Sequence, residues 1–256
     1  MFIGIDLGTS SVKSVLLDDR NRIVATATSA LEVQRPAPGH SEQDAESWWR
    51  AALQTIDELA HRAPKEIAAV AGIGLSGQMH GATLLDAAGE VLRPCILWND
   101  VRAAAECREL ERRLPDLGRI TGNPAMPGYT APKVMWVQKH EPAIFARIAK
   151  VLLPKAYLRY RLSGDFFEDM SDASGTLWLD VGARRWSDAA LAATDMSRAQ
   201  MPDLVEGSQP AGILRTELAR RWGMARPPVI AGGAGDNAAG AVALGAIKPG
   251  DAFVSL

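Results

Sequence analysis

Short apolar runs alternate with polar, glycine-containing turns at the start of the chain. Residues 2–6 and 12–17 form two such runs, and a third run at residues 22–33 follows a polar turn at residues 18–21. Apolar runs of this length separated by short polar turns are typical of β-strands joined as hairpins. The pattern therefore predicts an antiparallel meander of three strands.

A helical period replaces the strand pattern after residue 43. Apolar residues recur at steps of three and four from Trp48 to Leu59, and Asp44 is placed to cap the helix. Further buried strands are predicted at residues 67–75 and 228–231, whereas residues 117–226 have a mostly helical pattern. We therefore predict one α/β domain with a helical insertion.

Composition and charge narrow the range of partners. The chain has 256 residues, and its 28 basic and 30 acidic side chains leave a net charge of −2, so nothing indicates a nucleic acid or an anionic membrane as partner. Cys95 and Cys107 lack zinc-ligand spacing and form no disulfide framework. We therefore expect both to be packing residues, and this cysteine usage fits a reducing cytoplasm. No apolar run approaches the ~18 residues of a membrane span, which also favours a cytosolic protein.

The first turn offers candidate phosphate and metal ligands. Asp6 ends an apolar strand and could hold magnesium through water, while Gly8, Thr9 and Ser10 could present N–H and hydroxyl groups to a phosphate with Lys13 nearby. A plain hairpin with a hydroxyl-rich turn is the alternative. The spacing of a P-loop is missing.

Two later segments carry side chains suited to a small polar ligand. Residues 77–81 form a loop at a predicted strand end that includes Met79 and His80, although His80 could equally be structural. Residues 98–102 place Trp98, Asn99 and Arg102 where they could stack on and hydrogen-bond a sugar. Helix capping and a solvated arginine explain this second segment equally well.

The third candidate segment lies near the end of the chain. A short apolar strand at residues 228–231 leads through a glycine turn to Asp236 and Asn237, which open a helix of small residues. Asp236 is either a helix N-cap or a carboxylate at the mouth of a cleft, and a helix N-terminus should lower its pKa. The polar stretch at residues 169–176 receives no role from the sequence.

Four motifs in this order resemble the FGGY carbohydrate kinase family. They are Met1 to Ser10, Ser76 to Gly81, Ile96 to Asp100, and Gly235 to Gly240, and the similarity extends over essentially the whole chain. The resemblance implies an actin-like ATPase fold of two ribonuclease-H-like domains with a mixed sheet. Residues 1–246 would form the sugar-binding domain and residues 247–256 the start of the nucleotide-binding domain. The chain would then be an inactive fragment.

The resemblance also implies a reaction, namely transfer of a phosphoryl group from ATP, bound with Mg²⁺, to the terminal hydroxyl of D-xylulose. Asp236 would be the general base, and Asp6 would organise magnesium through water. The sugar would be bound by Met79, His80 and Asn237, and less directly by Trp98, Asn99 and Arg102. The phosphates would be bound by Gly8, Thr9, Ser10 and Lys13.

Other functions remain open at this stage. Family members acting on ribulose, gluconate or glycerol, an actin-like nucleotide switch without a sugar, and a sugar-binding module without catalysis are the alternatives. A homodimer is a further expectation, with Trp48 and Trp49 as candidates for its face.

Overall fold

A computed structural model describes residues 1–254 of the chain. The strands are β1 (Phe2–Leu7), β2 (Ser11–Leu17), β3 (Ile23–Ala30), β4 (Glu42–Gln43), β5 (Gly72–Gly77), β6 (Thr83–Leu85), β7 (Cys95–Ile96), β8 (Lys150–Leu152), β9 (Phe167–Asp169), β10 (Leu179–Asp180), β11 (Arg185–Trp186), β12 (Asp203–Val205), β13 (Pro210–Ile213), β14 (Val229–Ala231) and β15 (Ala234–Gly235). The helices are α1 (Ala45–Arg62), α2 (Pro64–Ala68), α3 (Ala104–Arg113), α4 (Leu117–Thr121), α5 (Thr130–His140), α6 (Pro142–Phe145), α7 (Pro154–Ser163), α8 (Met170–Ser174), α9 (Asp188–Ala192), α10 (Thr216–Arg221) and α11 (Asp236–Ala243).

The central sheet is mixed and has the strand order β13-β14-β5-β1-β2-β3. The antiparallel pairing of β1, β2 and β3 confirms the predicted meander, and β1, β14 and β15 each run parallel to β5. Asp6 of β1 and Ala234 of β15 both lie in register with Ser76 of β5. The carboxyl ends of three neighbouring strands therefore meet at one edge, where open α/β sheets bind their ligands.

Apolar side chains of α1 and α7 complete one core against the central sheet. Asp44 caps α1 as predicted, accepting a hydrogen bond from the Glu46 amide at 3.0 Å. Trp48 is 0% exposed, which removes it from any dimer face. Trp49 is only partly buried and lies beneath the guanidinium of Arg161.

The insertion has a second core and is less helical than predicted. Helix α5 packs on α3, which precedes the insertion, but the short strands β8 to β13 also occur here, and β13 extends the central sheet. A strand was predicted at residues 151–153, which overlaps β8, but most strands of two to four residues carry too little pattern to be recognised. The predicted strand at residues 67–75 was wrong at its start, because Pro64 opens α2 and β5 begins only at Gly72.

The last described residues have no regular structure. The resemblance to FGGY kinases also implies that residues 252–256 form the first strand of the second domain. Residues 252–254 form no strand, and residues 255 and 256 lie outside the described part. The boundary between residues 246 and 247 stays a prediction. No helix in residues 1–254 is long and apolar enough to cross a membrane.

Candidate functional site

Two carboxylates lie close together at the carboxyl edge of the sheet. Asp6 is the next-to-last residue of β1, and its Oδ1 accepts a hydrogen bond from the Ser76 hydroxyl at 2.7 Å. Asp236 follows β15 directly and is near enough for the charge of Asp6 to raise its pKa. Asp6, Ser76 and Lys13 also line a cavity of about 890 Å³ beside α11. The fold thus brings the first and last candidate motifs together.

Asp236 differs in two respects from the sequence prediction. It is the first residue of α11 and not its cap, which is Gly235. Its pKa is raised, not lowered: packing around the carboxyl group contributes most, the Asn237 amide at 2.7 Å opposes the shift, and the charge of Asp6 adds to it. Asp236 keeps an exposed surface towards solvent, so it is accessible to a substrate.

Met79 packs directly against the start of α11. A side chain at Gly235 would place its Cβ 2.8 Å from Met79 Cγ, so only glycine allows this approach. The side-chain amide of Asn237 points to Met79 Sδ at 3.9 Å. The loop at residues 77–81 therefore forms a wall of the space in front of Asp236.

His80 has an unusual backbone and a neutral ring. Its φ of 66° lies in the left-handed region, which is uncommon for residues other than glycine. Its Nδ1 lies 3.0 Å from the Gly175 carbonyl, and because a carbonyl can only accept, Nδ1 carries the proton and Nε2 is left as an acceptor. Burial lowers the pKa of His80 to about 4, more than the Gly175 contact raises it.

The hydroxyl of Thr9 is part of an internal network and is not free. It donates to Gln78 Oε1 at 3.1 Å and accepts from the Trp98 indole at 3.0 Å. Gln78 in turn donates to Gln43 at 2.9 Å, and Gln43 donates to the Thr9 carbonyl at 2.7 Å. Sequence reasoning missed Gln43, because nothing local distinguishes it from other polar residues between elements.

The other predicted phosphate ligands lie around the same turn. The Gly8 amide donates to the Ser11 carbonyl at 3.0 Å, and the Ser10 carbonyl accepts from the Leu31 amide at 2.8 Å. Lys13 is exposed and lies opposite Asp6 across the β1–β2 pair. The turn is thereby held next to Asp6.

Residues 98–102 divide between the site and the interior. Trp98 is 48% exposed, and Asn99 Oδ1 is buried without a partner among the described residues. The side chain of Arg102 is 3% exposed and pairs at 2.7 Å with both Asp100 and Glu42. Arg102 therefore faces inward and is not brought together with the others, and its role as a sugar ligand stays a prediction.

A buried charge cluster lies behind the site and was not foreseen from the sequence. Lys155 Nζ lies 2.6 Å from Glu168, 2.6 Å from Asp169 and 3.4 Å from Asp172. These are the only three carboxylates in residues 1–254 grouped closely enough to hold a metal, but the lysine ammonium lies among them. Burial raises the pKa of Glu168 and raises that of Asp172 well above its ordinary value.

The same cluster fixes the glycine turn before Asp236. Buried Arg159 donates to the Gly232 carbonyl at one end of the turn. At the other end, the Gly235 amide donates at 3.3 Å to the Ser171 hydroxyl, which itself donates to Asp169 Oδ1 at 2.5 Å. The polar stretch at residues 169–176 therefore helps to place Asp236. Its one readable signal is Asp169, which caps α8.

Comparison with known proteins agrees with this architecture. The FGGY family of carbohydrate kinases, N-terminal domain, matches residues 1–243. A xylulose kinase of Escherichia coli (strain K12) is 56% identical over 256 residues, covering 100% of this chain and 52% of the relative. The chain therefore spans about half the length of the curated relatives it matches.

Solved structures show the same fold. A xyloylose kinase from Brucella ovis has a TM-score of 0.95 and 56% identity over 97% of this chain and 51% of its own. A gluconate kinase from Lactobacillus acidophilus has a TM-score of 0.86 and 26% identity over 92% and 48% of the two chains. The actin-like α/β fold is thus shared, and the chain belongs to the FGGY family of carbohydrate kinases, whose N-terminal domain it contains.

Proposed function

We propose that this chain binds D-xylulose and supplies the general base for transfer of the γ-phosphoryl group of ATP to the sugar's terminal hydroxyl. The observation that carries the proposal is the meeting of Asp236, Asp6 and Met79 at one sheet edge. The 56% identity to a xylulose kinase supports the choice of sugar. The fold alone does not decide it, because a gluconate kinase shares it.

Asp236 accepts the hydroxyl proton as the phosphoryl group moves across. Phosphoryl transfer passes through a loose transition state, so placing the hydroxyl matters more than strong basicity. The raised pKa of Asp236 nevertheless makes it a better proton acceptor than an ordinary aspartate. Asn237 and Met79 line the approach to it, and the neutral His80 ring offers Nε2 as an acceptor for a sugar hydroxyl.

The residues near Asp6 fit Mg²⁺ and phosphate. Magnesium prefers carboxylate oxygens and water, and Asp6 lies near enough to Asp236 for its charge to raise the pKa of that carboxyl group. Asp6 would hold the ion, while Gly8, Thr9, Ser10 and Lys13 surround the phosphates. Bound magnesium neutralises negative charge on the phosphate oxygens. A cytoplasmic location fits the two free, buried cysteines.

Sugar-dependent ADP release by the complete protein tests the proposal, together with calorimetric titration of this chain. D-xylulose, D-ribulose, glycerol and D-gluconate are compared. We expect D-xylulose to bind most tightly to the chain and to stimulate ADP release most strongly, with negligible transfer by residues 1–256 alone. A preference for another sugar, ATP turnover by the complete protein that ignores every sugar, or sugar binding by the complete protein without any transfer would each replace the proposal with one of its alternatives.

A further inference from the structure

We propose that Lys133 is a positioning residue that holds the backbone of His80, and with it the loop at residues 77–81, in the conformation that forms the candidate sugar site. The inference rests on the proposed function for its meaning, but its geometry is independent of any ligand. Lys133 lies on α5, in the insertion and outside the central sheet.

Lys133 is a buried lysine that forms no ion pair in residues 1–254. Its side chain is 0% exposed, and its Nζ donates to two backbone carbonyls, those of His80 at 2.8 Å and Gly128 at 2.5 Å. Lys155, equally buried, is instead surrounded by three carboxylates. Burying an ammonium group without a carboxylate is costly. The two carbonyls to which Lys133 donates therefore indicate that its role is to hold these two backbone segments.

The His80 carbonyl belongs to a strained residue. With a φ of 66°, His80 holds a backbone conformation that needs support from its surroundings. Three side chains from one segment supply that support: Lys133 and Thr130 both donate to its carbonyl, the latter at 3.1 Å, and the Tyr129 ring packs edge-on against the imidazole at 4.7 Å. Tyr129, Thr130 and Lys133, which we call the clamp, thus hold both the main chain and the ring of His80 in place.

The second carbonyl connects the clamp to the other side of the site. Gly128 lies so close to the segment with Trp98 that an added Cβ would be 2.6 Å from the Trp98 carbonyl oxygen. Lys133 therefore ties the His80 loop to the chain that packs on Trp98. Its charge also helps to lower the pKa of His80, and burial lowers the pKa of Lys133 itself to about 7.

Two variants that act on the same carbonyl test the proposal. Lys133→Met removes the terminal amino group and keeps most of the side-chain length, whereas Thr130→Val removes one donor and keeps the shape. Lys139→Met, on the exposed side of the same helix, is the matched control, because its side chain is 58% exposed. The chain has four histidines, so ¹³C,¹⁵N-histidine labelling resolves His80 by NMR, with His80→Asn giving the assignment.

We expect both test variants to move the His80 Cα and ring signals in the absence of sugar, while Lys139→Met leaves them in place. D-xylulose affinity should fall roughly tenfold in Lys133→Met, which loses two hydrogen bonds, and roughly threefold in Thr130→Val, which loses one. Unchanged His80 signals in the folded variants overturn the proposal, whatever the affinity does. If Lys133→Met does not fold, Thr130→Val decides. If the parent chain binds no D-xylulose, the proposed function fails while the His80 signals still test the clamp.

Discussion

The indole N–H of Trp98 donates a hydrogen bond to the hydroxyl of Thr9 at 3.0 Å. The same hydroxyl donates to Gln78 at 3.1 Å, one residue before Met79. One oxygen atom therefore joins the turn proposed to hold phosphate, the loop proposed to hold sugar, and the exposed tryptophan between them. Thr9 is in this way a structural link as well as a candidate ligand.

Thr9→Val should weaken D-xylulose binding by about tenfold, because it removes two hydrogen bonds worth roughly 0.5 to 1.5 kcal/mol each while keeping the side chain's shape. Thr9→Ser keeps the hydroxyl and should bind within about threefold of the parent chain. Calorimetry on both variants measures the effect. If Thr9→Ser is as weak as Thr9→Val, the methyl group and not the hydroxyl is responsible.

Asp236→Asn should reduce phosphoryl transfer by about 10² to 10⁴-fold, the usual contribution of a positioned base, and change sugar affinity little. The amide keeps the size of the side chain but cannot accept the proton. Sugar-dependent ADP release by the complete protein gives the rate. Asp203→Asn, an exposed aspartate on β12, is the control. A near-parental rate in Asp236→Asn would remove it from the role of base.

Asp6→Asn should lower the pKa of Asp236. The charge of Asp6 is one of the causes that raise this pKa, and an amide at position 6 removes it. Titration of the ¹³C carboxyl signal of Asp236 in magnesium-free buffer measures the change. A pKa that stays constant or rises would show that the two carboxylates do not interact.

The sequence predicted the site best where each motif ends its own strand. Asp6 lies near the carboxyl end of β1, and Met79 and Asp236 follow β5 and β15, so strand pairing brings them to one edge. The sequence did not indicate how the Gly232 carbonyl is held. Its donor, Arg159, lies 73 positions away, and such a contact leaves no local pattern. The pKa of Asp236 was predicted in the wrong direction for the same reason, since Asp6 and the burying atoms approach only in the fold.

Elements of the fold were predicted or missed for the same reason. The β1–β2–β3 meander and the capped helix α1 depend on neighbours in sequence, and both were predicted. Strand β13 forms only because β14 lies beside it, and β9 pairs with β12 across the insertion. Their short segments have no preference strong enough to indicate a strand without these partners.

His80 should titrate with a pKa of about 4, well below the ordinary 6.5, because its ring is buried. Since the folded pKa is the lower one, the unfolded state binds more protons between these values. The associated stability is complete above pH 6.5 and is lost as the pH falls towards 4, by at most about 3 kcal/mol. NMR titration of the His80 ring checks the pKa, and urea unfolding at pH 7 and pH 4.5 in parent and His80→Asn chains checks the loss. A midpoint at 6.5 or above would mean that the ring is solvated.

Lys155→Met should destabilise the chain by about 3 to 5 kcal/mol, the cost of leaving buried carboxylates without their cation. Glu168, Asp169 and Asp172 would then be left with buried Arg159 as a nearby positive charge. Urea unfolding at pH 7 measures the loss, and Arg119→Met, whose ion pair with Asp116 is exposed to solvent and should affect stability little, is the control. Adding Asp172→Asn to Lys155→Met removes one of the repelling charges and should recover part of the stability. A double variant as unstable as the sum of the two single changes would show that charge balance is not what holds this cluster together.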